Sequence, residues 1–300
     1  MMFENTLLSD PVLEAVPLAP EKKEPVALAR SEGRVELRYC QKESGSKLAH
    51  LYQRGCGRVR FPTVDHAEYP EAVLINTAGG LTGGDYMAYQ ISLDEGAALT
   101  VSGQAAEKIY RSVGSTTVID AEINIAKGAL LEWLPQETIL FEKGRLRRMN
   151  SVHLKAGSRL LALEATLFGR TAHGETLRSA SLSDGWKIWR EGKLVWFDKF
   201  VLDGDLHAKA MHPAVLDGAK GMATILIADD YADSYLETAQ EAARDCGVRA
   251  AVTSRDTLLI IRVLAENGYD LRKALALILT RMRSEIAGYP VDLPKVWENQ

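Results

Sequence analysis

The stretch that decides the fold is Tyr86-Met87-Ala88-Tyr89-Gln90-Ile91-Ser92-Leu93. Its larger apolar side chains recur at every second position, from Met87 to Leu93. This alternation is typical of a half-buried β-strand. Val118–Ile125 alternates in the same way. Similar runs lie at Arg34–Tyr39, Leu48–Tyr52, Ala97–Ser102, Leu130–Leu134, Leu160–Leu167, Val195–Leu202 and Ala223–Ile227.

Short turn signals separate these runs. They are Glu95-Gly96, Lys127-Gly128, Ala156-Gly157, Asp184-Gly185, Glu191-Gly192 and Asp203-Gly204. Many short strands with no helix between them favour an all-β architecture. We therefore predict a mainly β fold, a large body of stacked short strands similar to a β-helix or a sandwich.

The last third of the chain has a different pattern. Apolar residues at helical spacing predict two α-helices, near residues 233–246 and 270–287, with Gly247 and Gly288 as their stops. Asp270 is the expected N-cap of the second helix. Between them, Leu258–Leu264 is almost continuously apolar, which indicates a strand covered on both faces.

The domain organisation follows from a change in composition near residue 25. Residues 1–25 contain four prolines and no sustained period, so we expect a flexible N-terminal arm. Residues 26–300 are expected to form a single β-rich domain that includes the two helices.

Composition narrows the function classes. The formal net charge of −4 argues against nucleic acid as the main ligand. Three cysteines without C-x-x-C spacing indicate free thiols. The chain shows no signal-peptide pattern and no apolar run long enough to cross a bilayer, so we expect a cytoplasmic protein. The local basic run Lys143–Arg148 is expected to be a solvated strand or turn edge, with a partner-docking patch as the alternative.

A glycine motif lies between two apolar strands, with Gly79, Gly80, Gly83 and Gly84 within Asn76–Asp85. Glycine is needed where φ is positive or where another backbone comes close. The segment lacks the Lys-Ser/Thr of a phosphate-binding loop and leads into a strand, so we interpret it as a structural double turn.

Two further polar segments interrupt the strand pattern. Gln104–Ser112 carries Glu107, Lys108, Tyr110 and Arg111, and is expected to be a loop that contacts solvent or a partner. Leu131–Phe141 contains Pro135, which favours an edge, a bulge or a bend.

Carboxylates inside apolar segments are the candidate metal ligands. A buried carboxylate is costly unless it is paired or hydrated. Carboxylates and an imidazole bind divalent metals without the tight grip of thiolates. Each of these residues taken singly is more often a plain structural group. The candidates are Asp85, Glu137, Glu164, Glu175 and His173.

The segments Asn76–Asp85, Gln104–Ser112 and Leu131–Phe141, with the ending Leu293–Trp297, resemble the signature blocks of the UreD (also UreH) family of urease accessory proteins. The resemblance runs from about Arg34 to Trp297. It implies a β-rich body with two helices and a non-catalytic accessory protein. This protein would dock on apo-urease, recruit UreF-type and UreG-type proteins, and conduct Ni²⁺, with carbon dioxide or bicarbonate, through an internal polar passage.

The resemblance also implies no tightly bound cofactor, only transient Ni²⁺, and GTP hydrolysis in the UreG-type partner. The passage would be lined by Asp85, Glu137, Glu164 and Glu175, with His173 as a further candidate. Two alternatives stay open. One is a metal-dependent hydrolase with Glu137 or Glu164 as base, and the other is a passive adaptor without a metal passage.

Overall fold

The computed structural model describes residues 29–63, 69–170, 174–288 and 291–298. The expected arm over residues 1–25 and the candidate ligand His173 lie outside these ranges. Seventeen strands are present in the described part of the chain. They are β1 (Glu32–Lys42), β2 (Gly45–Gly55), β3 (Gly57–Arg60), β4 (Glu71–Asn76), β5 (Tyr86–Leu93), β6 (Ala98–Gly103), β7 (Glu107–Ile109), β8 (Thr117–Ile125), β9 (Leu130–Leu134), β10 (Thr138–Leu140), β11 (Arg145–Leu154), β12 (Arg159–Phe168), β13 (Ala180–Arg190), β14 (Lys193–Gly204), β15 (Gly221–Ala228), β16 (Arg249–Arg255) and β17 (Leu258–Ala265).

The strands form a seven-stranded and a ten-stranded sheet. The first sheet has the order β14-β13-β11-β8-β5-β1-β2, and the main path of the second is β16-β17-β15-β12-β9-β6-β4-β3. From β4 to β13 the chain passes alternately between the two sheets, and strands of successive coils pair in parallel. The body is therefore a stack of coils, which confirms the predicted fold class.

Left-handed glycines turn each coil from one sheet to the other. Gly96, Gly128 and Gly157 have φ of 69°, 67° and 65°. The turns also stack, since the Gly96 N–H donates to the Lys127 carbonyl at 3.0 Å. These three turn predictions are confirmed. The predicted turn at Asp184-Gly185 is wrong, because both residues lie inside β13, where Gly185 allows close approach of Met149 and the Asp198 carbonyl.

The sequence patterns did not predict seven of the strands, namely β3, β4, β7, β10, β11, β13 and β16. The most instructive is β11, which contains most of the basic run. The run was expected to be solvated, but Arg148 is only 4% exposed. That part of the prediction is wrong, because alternate residues of β11 point between the sheets and Arg148 is one of them.

Both predicted helices are present. The helix α2 (Leu236–Asp245) follows a 3₁₀ turn at Ala232–Tyr235, and α3 spans Gly268–Ala287. Two short helices, α1 (Leu206–Ala210) and α4 (Lys295–Glu298), were not predicted. The N-cap of α3 is Asn267 and not Asp270, since the Asn267 side chain accepts from the Asp270 N–H at 2.9 Å. In the described part of the chain, no helix combines the length and the apolar character needed to cross a bilayer.

Three apolar clusters hold the elements together. Two lie between the sheets, one around Ile123 and Val152 and the other around Leu146 and Leu182. The third packs α2 and α3 on the outer face of the second sheet. Strand β17 contributes Leu259 and Ile261 to the third cluster and Ile260 to the first, as its continuous apolar sequence predicts.

The glycine motif makes two successive turns before β5. The Gly79 N–H donates to the Asn76 carbonyl and the Asp85 N–H to the Thr82 carbonyl. Gly79, Gly80 and Gly84 all have positive φ. A Cβ on Gly83 would overlap the Ser112 hydroxyl and the Ser115 carbonyl oxygen. The motif therefore serves both left-handed backbone and close packing.

The different surroundings of Gly83 and Gly79 give a stability prediction. Gly83→Ala should lower the free energy of unfolding by about 3 kcal/mol, because a backbone carbonyl has to move. Gly79→Ala should cost only about 1 kcal/mol, because a Cβ there meets open space and only the positive φ is unfavourable. Urea denaturation of the two variants tests this, and equal losses would contradict it.

Candidate functional site

The second sheet is interrupted at the same level in two neighbouring coils. One coil breaks between β6 and β7 and the next between β9 and β10, while β12 runs through. Ser102 pairs with Leu134 and Glu107 with Thr138, so four residues of one coil face three of the next. Trp133 pairs with Ala162 and Thr138 with Thr166, so four residues again face three. Extra residues of this kind bulge out of a ladder and bend the strand.

A cavity of about 280 Å³ lies at this double break. Residues of the break, from Gly103 to Ala106 and Pro135–Gln136, form one wall. Pro135 thus sits at a bend, as its chemistry predicts. Deeper in, the cavity is lined by Tyr89, Trp133, Arg148, Asn150 and Glu164, and its mouth by Asn76, Gly79, Gly80, Glu107 and Lys108.

The deep end of the cavity belongs to a polar layer between the two apolar clusters. On β11, Arg148 and Asn150 lie between Leu146 of one cluster and Val152 of the other. On β12, Glu164 and Thr166 separate Ala162 from Phe168. On β13, Asp184 separates Leu182 from Trp186. Polar residues at one level of successive strands thus form a continuous layer across the body.

Three charged side chains form the centre of this layer. Arg148 donates from Nε to Asp184 Oδ1 at 2.9 Å and from Nη2 to Asp184 Oδ2 at 2.5 Å. Its Nη1 lies 2.5 Å from Glu164 Oε2. Thr138 and Thr166 accept further hydrogen bonds from the same guanidinium. One arginine thus faces two carboxylates, and this charged triad has an excess negative charge when both are ionised.

The second oxygen of the Glu164 carboxylate, Oε1, accepts two hydrogen bonds. Trp133 Nε1 and Asn150 Nδ2 both donate to Oε1 at 3.2 Å. Oε2 is buried and close to Arg148 but has no aligned hydrogen bond in the described structure. This oxygen has unused acceptor capacity beside the cavity, where a water molecule or a cation can use it.

Burial shapes the proton affinity of these groups. It raises the pKa of Glu164 from 4.5 to about 7, with a further contribution from Asp184, against the opposing effects of Arg148, Trp133 and Asn150. Burial alone would lower the pKa of Arg148, but Asp184 and Glu164 raise it above its ordinary value. Arg148 therefore stays charged, and Glu164 is the member of the triad that can exchange a proton near neutral pH.

A second carboxylate, Glu107, lies at the mouth. Asn76 Nδ2 donates to both of its oxygens at 3.1 Å. Burial raises the pKa of Glu107, while Asn76 and the Lys108 N–H favour its ionised form. The cavity thus has a carboxylate near each end, and both have raised pKa values.

The polar layer also reaches the opposite edge of the body. Glu164 pairs across strands with Thr224, which pairs with Arg262. Arg262 Nη2 lies 2.6 Å from Asp198 Oδ2 on β14, so an ion pair joins the two sheets there. Polar side chains thus follow one another from Glu164 to this edge.

The structure does not bring all the candidate ligands together. Of the four candidates that the structure describes, only Glu164 lines the cavity. Asp85 accepts hydrogen bonds from the Ser31 and Thr82 N–H groups and fastens the glycine motif. Glu137 pairs with Arg272 on the helix side of the second sheet. Glu175 pairs with Arg170 on the surface. The predicted ligands did not include residues 103–106, Pro135, Gln136, Arg148, Asn150 or Asp184, although several of these fall in segments that stood out in the sequence for other reasons.

The expected partner loop is divided between two surfaces. Glu107 and Lys108 line the cavity mouth, whereas Tyr110 and Arg111 line a separate depression outside it. Of the four glycines, Gly79 and Gly80 line the mouth and the other two do not. Within the described ranges, no three His, Cys, Asp or Glu side chains converge into a metal-binding group.

The geometry therefore defines a coiled two-sheet β protein with a cavity between its sheets, lined by charged and amide side chains together with apolar ones such as Leu74, Ile119 and Trp133. The model of the UreD urease accessory protein family matches residues 31–298, and the chain belongs to this family. It is 40% identical over 272 residues to a urease accessory protein UreD of Magnetococcus marinus, covering 89% of this chain and 94% of that protein.

Two further relatives carry the same description. A urease accessory protein UreD 1 of Brucella abortus is 38% identical over 273 residues, covering 91% of this chain and 95% of that protein. A urease accessory protein UreD of Rhizobium rhizogenes is 39% identical over 269 residues, with 89% and 95% coverage. The likeness thus extends through both sheets and the C-terminal helices.

The raised pKa of Glu164 gives a pH prediction. A raised carboxyl pKa stabilises the fold fully below the usual value of 4.5, and this contribution is lost as the pH rises through about 7. Glu164→Gln carries no proton to lose, so its free energy of unfolding should fall less over that range. Urea denaturation at several pH values measures this. Glu95→Gln, at an exposed turn, should keep the wild-type profile, and an unchanged profile in Glu164→Gln would contradict the assignment.

Removing the arginine should be far worse than neutralising one carboxylate. Arg148→Met leaves Asp184 and Glu164 buried without a counter-charge, so it should cost about 3–5 kcal/mol of unfolding free energy. Glu164→Gln keeps acceptors for Trp133 and Asn150 and should cost less. Chemical denaturation at neutral pH compares the two, and a milder effect of Arg148→Met would show that Arg148 is not the counter-charge on which the two buried carboxylates depend.

Proposed function

We propose that this chain is a non-catalytic scaffold in urease maturation, which docks on apo-urease, recruits UreF-type and UreG-type partners in the cytoplasm, and conducts Ni²⁺ to the urease active site. Family membership supports the accessory role. The observation that supports conduction is the polar layer that contains Arg148, Asp184 and Glu164 between two apolar clusters.

Stability alone does not account for this layer. Apolar side chains of similar volume usually serve a core as well as or better than a buried ion group. A hydrated path for a charged cargo, in contrast, needs polar walls. A cavity of about 280 Å³ has room for several water molecules, since each takes up about 30 Å³ in the liquid.

The ligand chemistry favours passage over storage. Glu107 and Glu164 offer carboxylate oxygens, and the rest of the nickel coordination would come from water. No third carboxylate, imidazole or thiolate converges with them among the described residues to close a tight site. Because the pKa of Glu164 is raised to about 7, its carboxyl group can hold a proton when no metal is present. Arrival of Ni²⁺ would displace that proton, and departure would let it return. Carbon dioxide or bicarbonate could use the same space.

The proposal leaves GTP hydrolysis to the UreG-type partner. The glycine motif leads into strand β5 and lacks the lysine that cradles phosphates. In the hydrolase alternative, Glu137 or Glu164 would act as base, but each is engaged by an arginine. In the adaptor alternative, the carboxylates would matter only for folding.

Reconstituted activation separates these possibilities. Apo-urease, the two partners and this chain are combined with nickel, bicarbonate and GTP, and urease activity is measured. Glu107→Gln and Glu164→Gln should each lower activation by about tenfold, because each removes a carboxylate that contacts the cargo. Assembly, followed by co-purification, should be unchanged, and Glu95→Gln should behave as wild type.

Other outcomes would each point elsewhere. Full activation by both carboxylate variants would favour the passive adaptor. Turnover of a substrate by the chain alone, dependent on metal, would favour the hydrolase. Full activation without this chain would remove the proposed role.

A further inference from the structure

A basic and aromatic surface lies beside the cavity mouth, outside the passage itself. We define this rim by Lys108, Arg111, Lys143 and Arg170, with the rings of Tyr110 and Phe141. Three separate segments meet in it, because Arg111 forms a β-bridge with Gly144 and the Arg170 guanidinium lies 4.6 Å from the Phe141 ring centroid. All of these residues except Lys108, which lies at the cavity mouth, line an open depression of about 400 Å³.

The positive charges of the rim are only partly neutralised. Glu175 accepts from the Arg170 side chain and from the Glu142 N–H. The Glu142 carboxylate lines the same depression and accepts from the Ser179 N–H. In contrast, no described residue forms an ion pair or hydrogen bond with the exposed side chains of Lys108, Arg111 and Lys143. Arg111 and Lys143 thus face solvent without a carboxylate partner, beside the exposed Tyr110 ring and the largely buried Phe141 ring, whereas Lys108 lies near the Glu107 carboxylate.

The backbone at Lys143 is strained in a way that presents this side chain. Its φ is +62°, a conformation that disfavours lysine and suits glycine or asparagine. It is held from both sides, since the Lys143 N–H donates to the Ser179 carbonyl at 2.7 Å and the Ser112 N–H donates to the Lys143 carbonyl at 2.9 Å. Such strain is found at binding sites more often than elsewhere.

The rim is continuous with the cavity mouth. The Tyr110 hydroxyl donates to the Gly79 carbonyl at 3.3 Å, and its ring packs against Gly80, so that both glycines lining the mouth touch the rim. Uncovered positive charges at this place repel an approaching cation. A negatively charged cover would neutralise the rim and reverse that effect.

We propose that the rim is a docking surface for a protein segment that carries at least two carboxylates beside an apolar or aromatic side chain. The carboxylates pair with Arg111 and Lys143, and the apolar side chain lies on Tyr110 and Phe141. Charge complementarity carries this assignment. Its consequence for cation entry rests on the proposed function, but the docking itself does not. Nucleic acid is disfavoured by the net charge of −4 and by Glu142 and Glu175 in the same depression.

The direct test uses a fluorescent peptide that alternates Glu and Leu, a matched peptide with Gln in place of Glu, and a single-stranded oligonucleotide. Wild-type protein should prefer the Glu peptide. Arg111→Glu combined with Lys143→Glu should weaken its binding by at least about tenfold and remove the salt dependence. Lys47→Glu combined with Lys193→Glu, at exposed positions on β2 and β14, should leave affinity within about twofold of wild type. Equal affinity of the rim variant and wild type, or tighter binding of the oligonucleotide than of the Glu peptide, would overturn the inference.

A second variant separates a loss of peptide binding from a loss of folding. Lys143→Asn removes the charge and relieves the backbone, so it should retain or raise thermal stability while it weakens Glu-peptide binding. Retained peptide affinity in this variant would also overturn the inference. Reconstituted urease activation then separates the two proposals. Failure of the wild-type chain to support activation removes the proposed function and leaves the peptide result standing, whereas unchanged peptide binding by the rim variants removes only the docking surface.

Discussion

A guanidinium buried between two β-sheets has to be neutralised where it lies, and the interior of this protein is organised around that requirement. Arg148 is held by Asp184 and Glu164 and by two threonine hydroxyls. These groups occupy one level of four strands, β10 to β13, so apolar packing cannot continue through that level. The space between the sheets is therefore divided into two apolar clusters with a polar layer between them.

The strand breaks give that layer access to the outside. A continuous second sheet would seal the polar residues in, but β6 and β9 both stop short while β12 continues behind them. The C-terminal segment supports the bend from the outer face, since Trp297 Nε1 donates to the Leu134 carbonyl at 3.1 Å and Arg272 lies over the Trp297 ring. Arg272 also contacts Gln136 and Glu137. Glu137 thus supports the wall of the cavity and does not line it.

Sequence patterns were sufficient where one face of an element is uniformly apolar. Tyr86–Leu93 and Leu130–Leu134 were predicted with their observed bounds, and the left-handed glycines marked three turns between coils. The pattern failed on β11, where the buried face reads Leu146, Arg148, Asn150, Val152. Local composition there suggests a solvated strand, and only the alternation with Leu146 and Val152 could have indicated that Arg148 points inward.

The site was harder to predict, because the group that neutralises a buried carboxylate is set by the fold and not by the local sequence. Glu164 stood out between Leu163 and Ala165, and it does lie in the cavity. Asp85 and Glu137 gave a similar signal, yet their partners are two backbone N–H groups and an arginine on α3. A carboxylate in an apolar segment indicates that it needs a partner. Whether that partner is a cation from solution, an arginine or the backbone depends on which strands become neighbours.

We propose that the polar layer accepts a divalent cation in transit. Anomalous X-ray diffraction at the nickel absorption edge, from crystals of this chain with the proposed UreF-type partner soaked in a nickel salt, would locate such a cation. We expect an anomalous peak inside the cavity next to the Glu164 carboxylate, and loss of this peak in Glu164→Gln. Peaks confined to exposed histidines such as His50 and His207, with none in the cavity, would contradict it.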